Sequence, residues 1–227
     1  MRGRLADLTL TLGGDSMTPV PGNPGVTIEP IRTHGADKRS SQKMELSLHL
    51  GTHVDAPYHF DPSGETVERM PLEKYAGEGF LLDVRRHCSE KTPITSEILN
   101  SVGASKEALS GKIAIIYTAW AQRCFGQARY YTDGPYLDEE AAVMLHKMGI
   151  NAVAIDFPID QHQEVIDTNA DTFFPVHRYL LSNGIPHIEN LVNLDQLVGK
   201  RFDLWALPLR ILGGDGSPAR VVAQIYD

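Results

Sequence analysis

His49, His53, Asp55 and His59 fall within eleven residues, in the run His49-Leu-Gly-Thr-His53-Val-Asp55-Ala-Pro-Tyr-His59, of a chain with nine histidines in all. Two imidazoles and a carboxylate are a common ligand set for a divalent ion. Nitrogen and oxygen donors of this kind suit zinc, and manganese or iron as well. The bland alternative is a chance cluster of surface histidines. It has to explain why three such groups, a carboxylate and two chain-bending residues coincide. His59 has the weakest individual case, because a ring flanked by Tyr58 and Phe60 can simply be packed.

The spacing restricts the backbone that carries these groups. In a helix His49 and His53 would share a face, but Asp55 would lie well round the cylinder, and Pro57 does not let a helix pass through it. In one straight strand His49 and His59 would sit about 33 Å apart, at about 3.3 Å per residue. The reading that remains is a strand ending near His49, a turn at Gly51 and a second bend at Ala56-Pro57. Gly51 supplies the backbone freedom and Pro57 the rigid exit.

Around this segment the chain reads as α/β, with one mixed, barrel-like sheet flanked by short helices. Leu5–Leu12 alternates enough for an opening strand and Met44–Leu50 alternates apolar and polar as a half-buried strand should, while strand-like runs rich in Val, Ile, Leu and aromatics occur at Gly79–Val84, Lys112–Thr118, Ile150–Asp156, Phe202–Leu209 and Ala219–Tyr226. Helices are expected over Thr95–Val102, over Asp138–Met148 with Gly149 as its stop, and over Phe174–Gly184 with Pro175 in its first turn. Gly213–Pro218 has no lysine at phosphate-loop spacing and reads as a loop, with Asp215 or Ser217 as supporting contacts. Asp156, Asp160 and His162 follow a strand end and are second-tier candidates. Asp167 and Asp171 read as a solvated loop. No repeat or linker divides the chain, so residues 1–227 are expected to form a single domain.

Composition narrows the function. A net charge of −8 leaves no basic stripe for nucleic acid, and no apolar run approaches the roughly 20 residues of a membrane helix. A cytoplasmic protein acting on a small molecule is the expectation. Two cysteines, Cys88 and Cys124, make neither a disulfide framework nor a paired-thiolate metal motif.

The pattern His49-x-Gly-Thr-His53-x-Asp55-x-Pro-x-His59 resembles the signature of the cyclase-like metal-dependent hydrolases, the family of bacterial kynurenine formamidase and isatin hydrolase. The resemblance continues through Gly149-Ile-Asn-Ala-Val-Ala-Ile-Asp156, His177, Gly184-Ile-Pro-His-Ile-Glu189-Asn-Leu and Ala206–Pro218, about the last four-fifths of the chain. It implies a swivelling β/α/β fold with His49, His53 and Asp55 on the metal and His59 as acid/base. His177 and Glu189, twelve residues apart, stand where two-metal members complete the site. A glutamate closing the apolar Ile185–Ile188 run is costly to bury unless ligated, whereas a surface strand end and a solvent-facing helix residue are the bland readings of Glu189 and His177. His187 alternates with Glu189 and is read as a neighbour, not a ligand.

The implied reaction is hydrolysis of a carbon–nitrogen amide bond in an aryl formamide or a cyclic amide or imide, with one or two divalent ions. A homodimer or higher homo-oligomer is implied too. The family's formamidases carry an aromatic residue before the early Pro-Gly, whereas this chain has Val20-Pro21-Gly22. A non-catalytic metal-binding module is the alternative. It would be marked by a closed four-ligand site with no spare histidine.

Overall fold

The computed structural model describes residues 3–13, 17, 19–161 and 173–226. Its strands are β1 (Arg4–Asp7), β2 (Thr27–Arg32), β3 (Ser41–Glu45), β4 (His53–Asp55), β5 (Ala76–Asp83), β6 (Pro93–Ile94), β7 (Ile113–Tyr117), β8 (Tyr136–Leu137), β9 (Ala152–Ile155), β10 (His187–Glu189), β11 (Arg201–Trp205), β12 (Gly216–Pro218) and β13 (Val222–Tyr226). Nine of them form one mixed sheet, curled into a half-barrel, in the order β1-β13-β11-β5-β7-β9-β10-β4-β12. β5, β7, β9 and β10 run parallel, and the pairs on either side are antiparallel.

The centre of the sheet is apolar on both faces. All five residues of β7 and all four of β9 are buried. Ala114, Ile116, Val153 and Ile155 point into one core, which the helices cover, and Ile113, Ile115, Ala152 and Ala154 point into the other. Two covered faces are why these parallel strands read as continuous apolar runs and do not alternate. The expected helices form. Thr95 and Asp138 cap Ser96–Ser101 and Glu139–Met148 by accepting from the Ile98 and Ala141 amides, and Gly149 ends the second helix in the left-handed conformation. The helix Pro175–Ser182 follows Phe174.

Three expectations are corrected. Met44–Leu50 is not a half-buried strand: β3 stops at Glu45, pairs with β2 in an exposed hairpin, and the chain then turns through residues 48–52. Its alternation reflects no buried face. The strand expected over Leu5–Leu12 ends at Asp7, where Thr9 and Leu10 switch to bonding Val221 and Thr52. Gly213–Pro218 is not all loop, because Gly216–Pro218 pairs with β4 as the last strand of the sheet. Among the described residues no helix is long and apolar enough to cross a membrane.

Candidate metal centre and its cavity

β4 and β10 pair antiparallel with His187 opposite Asp55 and Glu189 opposite His53. Directly opposed residues and alternate residues of one strand share a face, so these four side chains all project from one side. Val54 and Ile188, between them, project to the other side and are fully buried in the core. Two strands of three residues thus hold a polar platform above and an apolar anchor below.

The turn before β4 brings His49 back onto this platform. Gly51 adopts φ +65°, and its carbonyl accepts from His53 Nδ1 at 2.8 Å and from the Asn190 amide at 2.9 Å. With Nδ1 donating there, His53 turns Nε2 toward the centre, as the outer hydrogen bond of a metal-bound histidine does. Gly216 is needed on the other flank, since a Cβ at that position would lie 2.8 Å from the His49 ring. Pro57 begins the short 3-10 turn Pro57–His59 that carries His59 back over the site. His177 comes from the helix Pro175–Ser182. Asp160 accepts from the backbone amides of Val176 and His177 and from His177 Nδ1, so it fixes both the helix start and the ring.

The Asp55 carboxylate divides the site. Its Oδ1 lies 2.7 Å from His49 Nδ1 and 3.3 Å from His53 Nε2, while its Oδ2 lies 3.6 Å from His177 Nε2. Glu189 Oε1 is 3.1 Å from His177 Nε2, and Oε2 is 3.8 Å from His53 Nε2. Donors held at about 2.0–2.2 Å from one ion stand roughly 3–3.6 Å from each other, a window that holds the His53–Asp55, His177–Asp55 and His177–Glu189 separations, while the 2.7 Å His49–Asp55 contact is a direct hydrogen bond.

Charge points the same way. Asp55 is buried and Glu189 is partly so, and among the described residues their ion-pair partners are all histidines. Burial works against the Asp55 carboxylate, yet His49 and His53 hold it well below its ordinary range. Glu189 is likewise held low against its burial by His177 and His187. In return His49, although desolvated, is pushed up to about 10 by Asp55 and Asp215, and His177 is raised by Asp160 and Glu189. Without an ion, imidazolium has to supply the positive charge; a divalent cation fits the same place and leaves the rings neutral.

His59 stands at the edge of this cluster. Its ring stacks on His49 with centroids 4.0 Å apart, it is 27% exposed, and its Nδ1 lies 3.8 Å from Asp215 Oδ2. Asp215 also approaches His49 Nε2 at 3.2 Å, and these two histidines hold its carboxyl far below the ordinary range. Beyond His59 opens a cavity of about 340 Å³ walled by Phe60, Tyr131, Phe173, Phe174 and Val20.

The six residues singled out from sequence therefore converge. Asp160 and Asp215, secondary from sequence, sit directly behind His177 and His59. Asp156 lies elsewhere, accepting from the Thr118 amide and hydroxyl, with its carboxyl pushed up to about 6 by burial. Ser217 bonds the Leu209 amide and belongs to the sheet edge. His162, Asp167 and Asp171 lie outside the described residues. Cys88 and Cys124 border a separate cavity, and burial pushes the Cys88 thiol up to about 12, which suits packing and not nucleophilic chemistry.

A His/Asp/Glu cluster at one end of a curled α/β sheet, opening onto an aromatic cavity, is a candidate divalent-metal centre. The chain belongs to the putative cyclase family, whose model matches residues 6–160. It is 31% identical over 186 residues to a kynurenine formamidase of Bacillus thuringiensis (strain Al Hakam), covering 80% of this chain and 78% of that one. Isatin hydrolase A from Labrenzia aggregata, solved with benzyl benzoate, superposes with a TM-score of 0.83 at 26% identity, over 99% of this chain and 94% of that one. An isatin hydrolase bound to the product analogue thioisatinate shares the fold with a TM-score of 0.85 at 23% identity, over 100% and 94%. The resemblance drawn from the His49–His59 pattern is thereby borne out, as is the α/β fold class.

Proposed function

We propose that this chain is a metal-dependent amidohydrolase that cleaves the C–N bond of a small aryl substrate: an aryl formamide such as N-formylkynurenine, or a cyclic amide such as isatin. The observation that carries the reading is the gathering of His49, His53, Asp55, His177 and Glu189 on a cavity with aromatic walls, with the His59 ring stacked on His49 at its edge. The formamidase and isatin hydrolase relatives support both the bond type and an aryl substrate.

In this reading His49, His53 and Asp55 would hold one cation, and His177 and Glu189, together with Asp55, would hold a second; the two Asp55 oxygens face His53 and His177 respectively. Zinc is the assignment, with manganese and iron sharing the donor preference. Ions held there would supply Lewis acidity to the carbonyl and a more acidic water. His59 takes the water proton and returns it to the leaving amine, held in line by Asp215. Phe60, Phe174 and Tyr131 flank the aryl ring and exclude water, and Val20 gives that wall a smaller residue than the formamidase pattern has. The same proposal treats residues 1–227 as one domain acting in the cytoplasm as a homo-oligomer. The exposed β2–β3 hairpin, which carries Ile28, Ile31 and Met44 into solvent, supports the last point.

The test is a panel of aryl formamides and cyclic aryl amides, with metal counted in protein purified without chelator. Chelation abolishes turnover and zinc or manganese restores it. His59→Ala retains the metal while kcat falls by about 10²–10⁴-fold. Equal activity of stripped and loaded protein, or full turnover by His59→Ala, sinks the mechanism. Bound metal with no turnover on any member would favour the non-catalytic module.

A further inference from the structure

His187 is fully buried on β10, and neither of its ring nitrogens has a hydrogen-bond partner among the described residues. An imidazole left in that state is costly, because each buried, unpaired polar atom forgoes its hydration without replacement. The ring is not in an apolar pocket where such a group could simply be packed. It stands opposite Asp55 in the strand register, with its ring 4.8 Å from that of His177 and its Nδ1 3.8 Å from Glu189 Oε1. That carboxylate oxygen is buried and also lacks a hydrogen-bond partner, although His177 Nε2 is only 3.1 Å away. Donor and acceptor that are close yet misaligned are what co-ligands aimed at a common centre look like. One ligand atom each from Asp55, His177, His187 and Glu189 all fall within 4.8 Å of one another.

We infer that His187 is the fourth protein ligand of a divalent cation held by Asp55, His177 and Glu189. The two cation positions then differ in kind. The position between His177, His187, Glu189 and one oxygen of Asp55 is closed by four protein donors and serves to hold the platform together. The position between His49, His53 and the other oxygen of Asp55 has three donors and keeps a place for water or substrate. The inference rests on the metal-dependent reading above and adds a donor and a division of labour to it.

Full-length protein, stripped with chelator and titrated with Zn²⁺ against a chromophoric competitor, is expected to bind two equivalents. In His187→Ala one equivalent keeps its affinity and the other weakens by about 100-fold or more, since even lost outer-shell contacts cost 10–100-fold. In the Co²⁺-loaded form the intense absorption of the four-coordinate site drops with it. His187→Cys, with a thiolate that zinc and cobalt accept, restores the equivalent and adds a thiolate-to-cobalt band. Two equivalents at unchanged affinity in a folded His187→Ala overturn the inference. So does a wild-type chain that saturates at one equivalent. Should the Ala variant fail to fold, a Cys variant without the thiolate band overturns it as well. A wild-type chain that takes up no metal sinks the metal-dependent reading itself, and this inference with it.

Discussion

The centre and the edge of the nine-stranded sheet obey opposite rules. β7 and β9 bury every residue on both faces, and their alternate side chains enter two separate apolar cores. β4, β10 and β12 have three residues each, and the face that carries His53, Asp55, His187 and Glu189 is polar and largely buried. In the first region every contact stabilises the fold without help. In the second, dense carboxylates and imidazoles need positive charge among them, on protonated rings or on a bound ion, so the region is weak where the other is strong. The rigid half holds the reactive half in register. Parallel pairing of β10 on β9 is the seam between them.

If that division is right, the largest effect comes from the residue that serves both cation positions. Asp55→Ala removes the oxygens that face His49 and His53 on one side and His177 on the other. Both equivalents of metal are lost, and turnover falls by more than about 10³-fold, the loss expected when metal catalysis is removed together with its charge stabilisation. Metal counting beside a steady-state assay reads this directly. Wild-type metal content in Asp55→Ala would break the comparison at its centre.

The opposite variant tests the other half. Ile115 is fully buried in the middle of β7, paired with Leu81 and Ala154. Ile115→Ala leaves a cavity in a close-packed core and lowers unfolding stability by about 2–5 kcal/mol. Denaturant unfolding measures that loss, while metal stoichiometry and KM stay at wild-type values in the folded fraction. A changed metal content would mean that the core does not merely hold the edge strands but tunes them.

The same contrast governs what could be read from sequence. β5, β7 and β9 announce themselves as runs of Val, Ile, Leu and Ala, because burial on both faces leaves no other residue acceptable. The His49–His59 cluster was legible because its residue types are rare and its bends are written in Gly51 and Pro57. β4, β10 and β12 are too short to carry a period, and they find each other only across more than 130 residues, as in the pairing of Val54 with Ile188. Met44–Leu50 misled because alternation marks a half-buried strand only when a core lies on one side, and β3 has none. Asp160 sits in no motif; its part becomes visible only once the fold delivers the start of the Pro175–Ser182 helix to its carboxylate. His187 looked like a neighbour because strand alternation shows which face it takes, but not that Asp55 stands opposite.

The smallest effect sharpens the comparison through pH. In metal-free protein burial opposes charging His49, but Asp55 and Asp215 prevail and raise it to about 10, and His177 moves in the same direction. A histidine whose pKa is higher in the folded than in the unfolded chain contributes stability that is fully present below its unfolded value, about 6.5. That contribution is lost as pH rises through the folded value. Stripped protein should therefore lose about 1–3 kcal/mol of unfolding stability between about pH 6.5 and 10, less than the full shift implies because water reaches the site. Asp55 cannot mask this, since its depressed pKa keeps it ionised across the whole window. Metal-loaded protein should show almost none of the loss, because the rings bind the ion as neutral ligands and no proton is released over that range. Denaturant midpoints at several pH values, with and without zinc, give the comparison. A flat profile in the stripped protein would mean that the polar edge holds its shape without protonated histidines, and that the cation is less central to its folding than its carboxylates imply.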